Sequence, residues 1–291
     1  MPVRRSALEK LLSFVNKSLN SSVGRKLVKL VTGSSAYKLL MSEINRLREI
    51  KLEEKVRSMP LPNHIAIIMD GNRRYAAEKG ISKEEGYKLG SEKLREVIDW
   101  CISLGIKVVT VYAFSTENFK RDMEEVNYLL DLCSKELDRA STDPKIHQNE
   151  IKVNVIGHFD LLPEDLRKRA ENLMEATKNY SKYVLNVALA YGGRQEIVDA
   201  ITKIAQDVKE GKLDPKDINE KTVSSYLYTK GLPDPDLVLR TSGEERISNF
   251  LLWQLAYSEL YFSDVYWPAF RKKDFLEAIY TYQQRKRRFG K

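Results

Sequence analysis

His64-Ile65-Ala66-Ile67-Ile68-Met69-Asp70-Gly71-Asn72-Arg73-Arg74-Tyr75-Ala76 is an apolar run that stops abruptly in a carboxylate, a glycine, an amide and two guanidinium groups. The isoleucine-rich part is short and bounded by polar residues, so it predicts a β-strand covered on both faces. In an open α/β sheet, ligands gather beyond the carboxyl ends of such strands. Asp70 can hold a divalent cation there, Gly71 lets the backbone come close, and Arg73 and Arg74 can clamp phosphate oxygens at the mouth of the following helix. The plainer alternative is a βα turn in which Asp70-Gly71 only caps a helix.

Two further segments separate these readings. Asp236-Leu237-Val238-Leu239-Arg240-Thr241-Ser242-Gly243-Glu244-Glu245-Arg246-Ile247-Ser248-Asn249 has the same order of parts: apolar strand, arginine at its end, a loop of hydroxyls and glycine, and a second arginine. Val108-Val109-Thr110-Val111-Tyr112-Ala113-Phe114 runs likewise into Ser115-Thr116-Glu117-Asn118-Phe119-Lys120-Arg121. One charged turn solvates a surface. Three strand-end loops rich in Arg, Ser and Asn imply a site that holds more than one phosphate.

Apolar segments recur at about 65–69, 108–113, 151–157, 184–190, 237–240 and 259–262, with helical patterns between them. This alternation predicts an α/β fold, a six-stranded, mostly parallel sheet surrounded by helices. One helical stripe carries Leu94, Val97, Ile98 and Cys101, and another carries Val126, Leu129, Leu130, Cys133 and Leu137. Core packing accounts for both stripes without further assumption. Cys101 and Cys133 lack metal-type spacing and read as core thiols of a reduced protein. His64, His147 and His158 are not spaced as metal ligands.

The 291 residues, 42% hydrophobic, suffice for one full α/β core. The formal net charge is +8, and residues 1–40 supply +7 of it through Arg4, Arg5, Lys10, Lys17, Arg25, Lys26, Lys29 and Lys38 against Glu9. A basic arm on a nearly neutral domain argues against a nucleic-acid binder. Leu8, Leu11, Leu12, Val15 and Leu19 share one helical face, and Leu40, Ile44 and Leu47 suggest another helix. Such an arm fits peripheral contact with an anionic membrane through residues 1–40, and equally fits packing on the domain or on a second subunit. Met59-Pro60-Leu61-Pro62 breaks the helix, giving an arm at 1–58 and a main domain at 61–291. No apolar run spans a bilayer and no secretion signal is apparent, which predicts a cytoplasmic protein.

Over roughly residues 60–291 the chain resembles the cis-prenyltransferases, the undecaprenyl and dehydrodolichyl diphosphate synthase family. Asp70 to Ala76, Tyr112 to Asn118, Ala190-Tyr191-Gly192-Gly193-Arg194, Arg240 to Glu244 and Ser258-Glu259-Leu260-Tyr261-Phe262 match its signature regions in order. The form Asn-Arg-Arg-Tyr, in place of the bacterial Asn-Gly-Arg-Trp, resembles archaeal and eukaryotic members. The resemblance implies Mg2+-dependent addition of isopentenyl diphosphate to an allylic prenyl diphosphate with cis geometry. It also implies a homodimer and an apolar substrate tunnel bordered by the two helical stripes. For the starter, geranylgeranyl diphosphate is expected first and farnesyl diphosphate second.

Residue by residue, the resemblance places Asp70 and Glu259 at the metal and Asp70 and Asn118 at the chemistry. It assigns the allylic diphosphate to Gly71, Asn72, Arg73, Arg74, Tyr75, Lys83, Tyr87, Ser115, Thr116, Glu117, Phe119 and Arg121. It assigns isopentenyl diphosphate to Arg240, Arg246, Ile247 and Ser248, with Arg288 and Gly290 reaching across the dimer. Asn118 matches a position proposed as proton acceptor, but a carboxamide is a very weak base and better suits orientation. Tyr87, Lys83 and Glu245 stand where bacterial members usually have His, Arg and often His; Lys83 keeps the charge but not the bidentate fork. The chain has no Asp-Asp-x-x-Asp motif, which excludes a trans-prenyltransferase. A non-catalytic subunit of a heteromeric cis-prenyltransferase would show a degenerate first motif, whereas Asp70, Asn72, Arg74, Arg246 and Glu259 are all present.

Overall fold

The computed structural model describes residues 35–285. The chain divides into two compact units, residues 1–54 and 55–291. The described part of the first unit belongs to helix α1 (Ser35–Arg57), where Leu40, Ile44 and Leu47 were expected to be helical. The amphipathic segment from Leu8 to Leu19, Arg288 and Gly290 lie outside the described residues. No described helix is long and apolar enough to cross a membrane.

The second unit alternates strands and helices. Strand β1 (His64–Ile68) leads through α2 (Asn72–Lys79) and α3 (Lys83–Leu104) to β2 (Val108–Ser115). Helices α4 (Met123–Thr142) and α5 (Pro144–Gln148) precede β3 (Ile151–Ile156), and α6 (Glu164–Thr177) precedes β4 (Tyr183–Tyr191). After α7 (Gly193–Lys209) and α8 (Glu220–Tyr226) come β5 (Leu237–Arg240), β6 (Glu259–Phe262) and α9 (Lys272–Gln284). The strands form one sheet in the order β3-β4-β2-β1-β5-β6, and every pairing is parallel. All five residues of β1 are buried, as a central strand covered on both faces requires.

A row of polar side chains crosses the middle of this apolar sheet. Asn154, Asn186 and Thr110 stand opposite one another in register on β3, β4 and β2. Asn154 Nδ2 donates to Asn186 Oδ1 at 2.9 Å, and Asn186 Nδ2 donates to Thr110 Oγ1 at 2.9 Å. His64 continues the row, with Nε2 2.7 Å from Thr110 Oγ1 and Nδ1 2.7 Å from the Pro233 carbonyl. A carbonyl only accepts, so Nδ1 carries the proton and Nε2 accepts from Thr110. Burial lowers the His64 pKa to about 4, with the Pro233 bond and Asp236 opposing, so the ring is neutral near pH 7.

Between α3, α4 and the sheet lies a cavity of about 780 Å3. Leu94 and Ile98 of α3, and Leu129, Cys133 and Leu137 of α4, line it. Val97, Cys101 and Val126 from the same stripes are buried elsewhere in the core. The helix faces thus divide between packing and the cavity.

Candidate active site

From β1 the chain moves to β2 on one side, whereas β5 moves to β6 on the other. The carboxyl ends of β1 and β5 therefore flank the point where the strand order reverses, the crevice an open parallel sheet offers to ligands. Asp70 follows β1 and Arg240 ends β5. Arg240 donates to Asp70 Oδ2 at 2.7 Å, the Gly71 amide donates to Oδ1 at 2.7 Å, and Arg74 lies 3.4 Å from the same oxygen. Burial pushes the Asp70 carboxyl up, but the bond and charge of Arg240, the Gly71 amide and Arg74 outweigh it and hold the pKa below its usual value. Thr241 Oγ1 accepts from the Asp70 amide at 2.9 Å and lies 2.7 Å from its carbonyl, fixing the turn on both sides.

The turn itself needs glycine. Gly71 has φ +101°, and a Cβ there would lie 2.8 Å from Tyr266 Cδ1 and 2.9 Å from Ser242 Cβ. Arg74 leaves the first turn of α2 and donates to Ser242 Oγ at 2.6 Å and to Glu244 Oε1 at 2.7 Å. The other oxygen of Glu244 pairs with Arg246. One carboxylate thus ties an arginine of α2 to an arginine of the loop after β5.

A second carboxylate organises the cations of the β2 side. Glu125, in the first turn of α4, is 7% exposed. Its Oε1 accepts from Tyr87 at 2.7 Å and Arg121 at 2.9 Å, and Arg121 also donates to the Tyr87 oxygen at 3.0 Å. Arg73 and Lys83 stand 3.7 and 3.6 Å from the two Glu125 oxygens. Burial and then the bond to Glu125 push the Tyr87 hydroxyl well up, so it remains a donor.

The end of β2 turns into a 3-10 helix, Thr116–Lys120. Asn118 Oδ1 accepts from the Ser115 amide at 3.0 Å, closing a capping box. The carboxamide oxygen is therefore committed to the backbone, and the NH2 group is what Asn118 can offer a ligand. Across the crevice Ser248 (φ 49°) and Asn249 (φ 63°) adopt left-handed backbone, a strain their contacts hold in place. Arg240 donates to Ser248 Oγ at 2.8 Å, and Tyr112 Oη to the Ser248 carbonyl at 3.3 Å. Asn249 joins three loops: it accepts from the Arg194 amide at 2.9 Å and the Gly193 amide at 2.7 Å, and donates to Glu117 at 2.9 Å.

Asp70, Asn72, Tyr87, Ser115, Glu117, Asn118, Arg121, Arg240, Arg246 and Ser248 all line the cavity. Arg73, Arg74 and Lys83 sit beside it in the ion pairs above. Tyr75 lies under Lys79, 5.7 Å from its ring centre, Phe119 packs edge-on against Phe114, and Ile247 packs on the core, so these three, like Thr116, are not on the wall. Glu259 stands apart. It opens β6 opposite Leu237, three residues before the level of Arg240, and binds Arg285 at 2.7 Å. Within one chain it does not meet Asp70.

Sequence reasoning missed Glu125, Glu244, Asn249 and Tyr112 as parts of the site. For Glu125 a signal existed, since it stands four residues after Arg121 on a helical start, where opposite charges pair.

The profile of the undecaprenyl diphosphate synthase family matches residues 68–290. The chain belongs to the undecaprenyl diphosphate synthase family of prenyltransferases. Among its relatives, the tritrans,polycis-undecaprenyl-diphosphate synthase (geranylgeranyl-diphosphate specific) of Thermoplasma volcanium is 55% identical over 247 residues, 85% of this chain and 96% of its own. The protein of the same name from Methanocaldococcus jannaschii is 52% identical over 252 residues, 86% of this chain and 90% of its own. Lavandulyl diphosphate synthase from Lavandula x intermedia, solved with dimethylallyl diphosphate, superposes with a TM-score of 0.75 at 37% identity, covering 79% of this chain and 99% of the other. The undecaprenyl diphosphate synthase family thus accounts for the six-stranded parallel sheet and for the order of the strand-end motifs.

Proposed function

We propose that this chain adds isopentenyl diphosphate units in cis geometry to an allylic prenyl diphosphate, with geranylgeranyl diphosphate as starter. The product is a long-chain polyprenyl diphosphate, the precursor of a glycosyl carrier lipid. The observation that carries this reading is the Asp70–Arg240 pair at the switch point, set at the mouth of an apolar cavity of about 780 Å3. Diphosphates need cations and donors; a growing isoprenoid needs a dry apolar space. Both meet there. The starter follows from the relatives, whose names specify geranylgeranyl diphosphate.

In this reading Arg73, Arg74, Lys83 and Arg121 receive the allylic diphosphate, while Arg240, Arg246 and Ser248 receive isopentenyl diphosphate. As the allylic carbon–oxygen bond breaks and the alkene forms the new carbon–carbon bond, negative charge collects on the leaving diphosphate. Fixed guanidinium groups in a water-poor crevice stabilise that charge most. Asn118 orients rather than deprotonates, because its oxygen already accepts from Ser115, and a diphosphate oxygen is the stronger base for the proton that leaves.

Among the described residues no three His, Cys, Asp or Glu side chains stand together as a metal site. Asp70 offers a carboxylate at the switch point, which fits Mg2+, an ion that keeps waters and takes phosphate oxygens around one or two carboxylates. Magnesium held there by Asp70 would neutralise diphosphate charge. A role for Glu259 at the metal would require it to come from another chain. A homodimer is part of the proposal, supported by Val198 and Ile201 of α7, which are 53% and 56% exposed. Peripheral contact of the basic residues 1–40 with anionic membrane completes it.

The test is incubation with labelled isopentenyl diphosphate, Mg2+ and starters of increasing length, followed by product sizing. Elongation with preference for geranylgeranyl diphosphate over farnesyl diphosphate is expected; no elongation of any starter would refute the reading.

A further inference from the structure

We infer that Glu125 is a positioning residue for the allylic diphosphate, holding Arg121, Tyr87, Arg73 and Lys83 from behind the cavity wall so that they converge before substrate arrives. The inference rests on the proposed assignment of this end of the cavity to the allylic diphosphate. Tyr87 and Arg121 line the cavity, whereas Glu125 does not. Its carboxylate is nonetheless the point at which all four groups meet, at 2.7, 2.9, 3.7 and 3.6 Å for Tyr87, Arg121, Arg73 and Lys83.

Three cations this close repel one another and would spread into solvent without a counter-charge. Arg73 and Lys83 have room to do so, being 52% and 49% exposed in their side chains. One acid leaves the group with a net charge of +2, still attractive to a diphosphate. The Tyr87–Arg121–Glu125 triangle also fixes direction: the phenol donates to the carboxylate and accepts from the guanidinium, so the rotations of all three are interdependent. Placement in the first turn of α4 suits the negative charge, because that end of a helix is positive. Burial pushes the Glu125 carboxyl up, yet the Tyr87 and Arg121 bonds and the Arg121 and Arg73 charges bring it below its ordinary value, so it is ionised near pH 7.

Glu125→Gln keeps the shape and removes the charge. The expected result is a rise of about tenfold in KM for the allylic starter, with KM for isopentenyl diphosphate and melting temperature little changed, a size usual for partners behind a binding group. Glu125→Asp should recover most of the loss. In the Arg121→Ala background Glu125→Gln should add clearly less than its about tenfold effect in the wild type, since part of that effect passes through the arginine and the rest through Tyr87, Arg73 and Lys83. An unchanged or lower allylic KM, equal rises in both KM values, or full additivity with Arg121→Ala would overturn the inference. Should Glu125→Gln fail to fold, Tyr87→Phe removes one arm of the triangle and keeps the acid; it must raise the same KM, and no rise overturns the inference. Calorimetric binding of inorganic pyrophosphate to the same variants separates this inference from the proposed function. If the wild type elongates no starter, the function fails, and pyrophosphate affinity still decides whether Glu125 positions the cations.

Discussion

Asp70 is held by Arg240, Arg74 and the Gly71 amide where the ends of β1 and β5 meet, and in the proposed function its charge serves the metal and the diphosphates. Gly71 beside it is the backbone counterpart. Gly71→Ala forces a side chain into Tyr266 and Ser242 at a left-handed φ, and should cost about 1–3 kcal/mol of stability. Thermal unfolding checks this, with a drop of roughly 2–4 °C per kcal/mol for a chain of this size. Asn118→Ala should lower kcat by less than about a hundredfold without moving the pH–rate profile, because it loses orientation and not a base. A larger fall together with the loss of one limb of the pH profile would restore Asn118 as proton acceptor.

At the scale of elements, the polar row across the sheet links fold stability to pH. His64 has a folded pKa near 4 and an ordinary value of 6.5, so below pH 6.5 the unfolded chain binds a proton that the folded chain refuses. Stability from this group is complete above pH 6.5, declines as pH falls, and is fully lost below about 4, a total of about 3 kcal/mol. Denaturant titrations from pH 7.5 to 4 should show this slope, and a His64→Gln variant should show a flatter one. The six strands were legible in sequence as short apolar runs between helical patterns, rich in β-branched residues in β1, β2 and β3, although β6 (Glu259–Phe262) has none and is only half-buried. The start of α3 was less so: its first turn, Lys83-Glu84-Glu85-Gly86, is polar, and the pattern becomes apolar only beyond Lys88. The Ser82 cap, accepting from the Glu85 amide at 3.1 Å, marks the true start. Glu259 illustrates what strand direction adds. In an all-parallel sheet the first residue of β6 lies at the end opposite the switch point, whatever motif surrounds it. Glu125 was legible only through Arg121, four residues before it; its contacts with Tyr87, Arg73 and Lys83, and those of Asn249 with Glu117 and Arg194, join segments distant in sequence.

For the molecule as a whole, the cavity and the basic arm pose separate questions. Val56 is fully buried, and Gln283 donates to the carbonyls of Val56 at 2.9 Å and Pro60 at 3.1 Å, so a truncation at residue 58 would cut into the second unit. Removal of residues 1–34 instead takes Arg4, Arg5, Lys10, Lys17, Arg25, Lys26 and Lys29, most of the excess charge. The shortened chain should keep its turnover with short starters in detergent while losing salt-sensitive sedimentation with anionic vesicles. Unchanged sedimentation would dismiss the membrane role of the arm. The proposed function puts condensation where Asp70 meets Arg240. Its most direct test is the single-turnover rate of the first addition of isopentenyl diphosphate to geranylgeranyl diphosphate, at saturating Mg2+, in the wild type and in Asp70→Ala. The expected result is a folded variant whose rate is reduced by at least about a thousandfold; a folded variant retaining more than about a tenth of the wild-type rate would remove Asp70 from the chemistry.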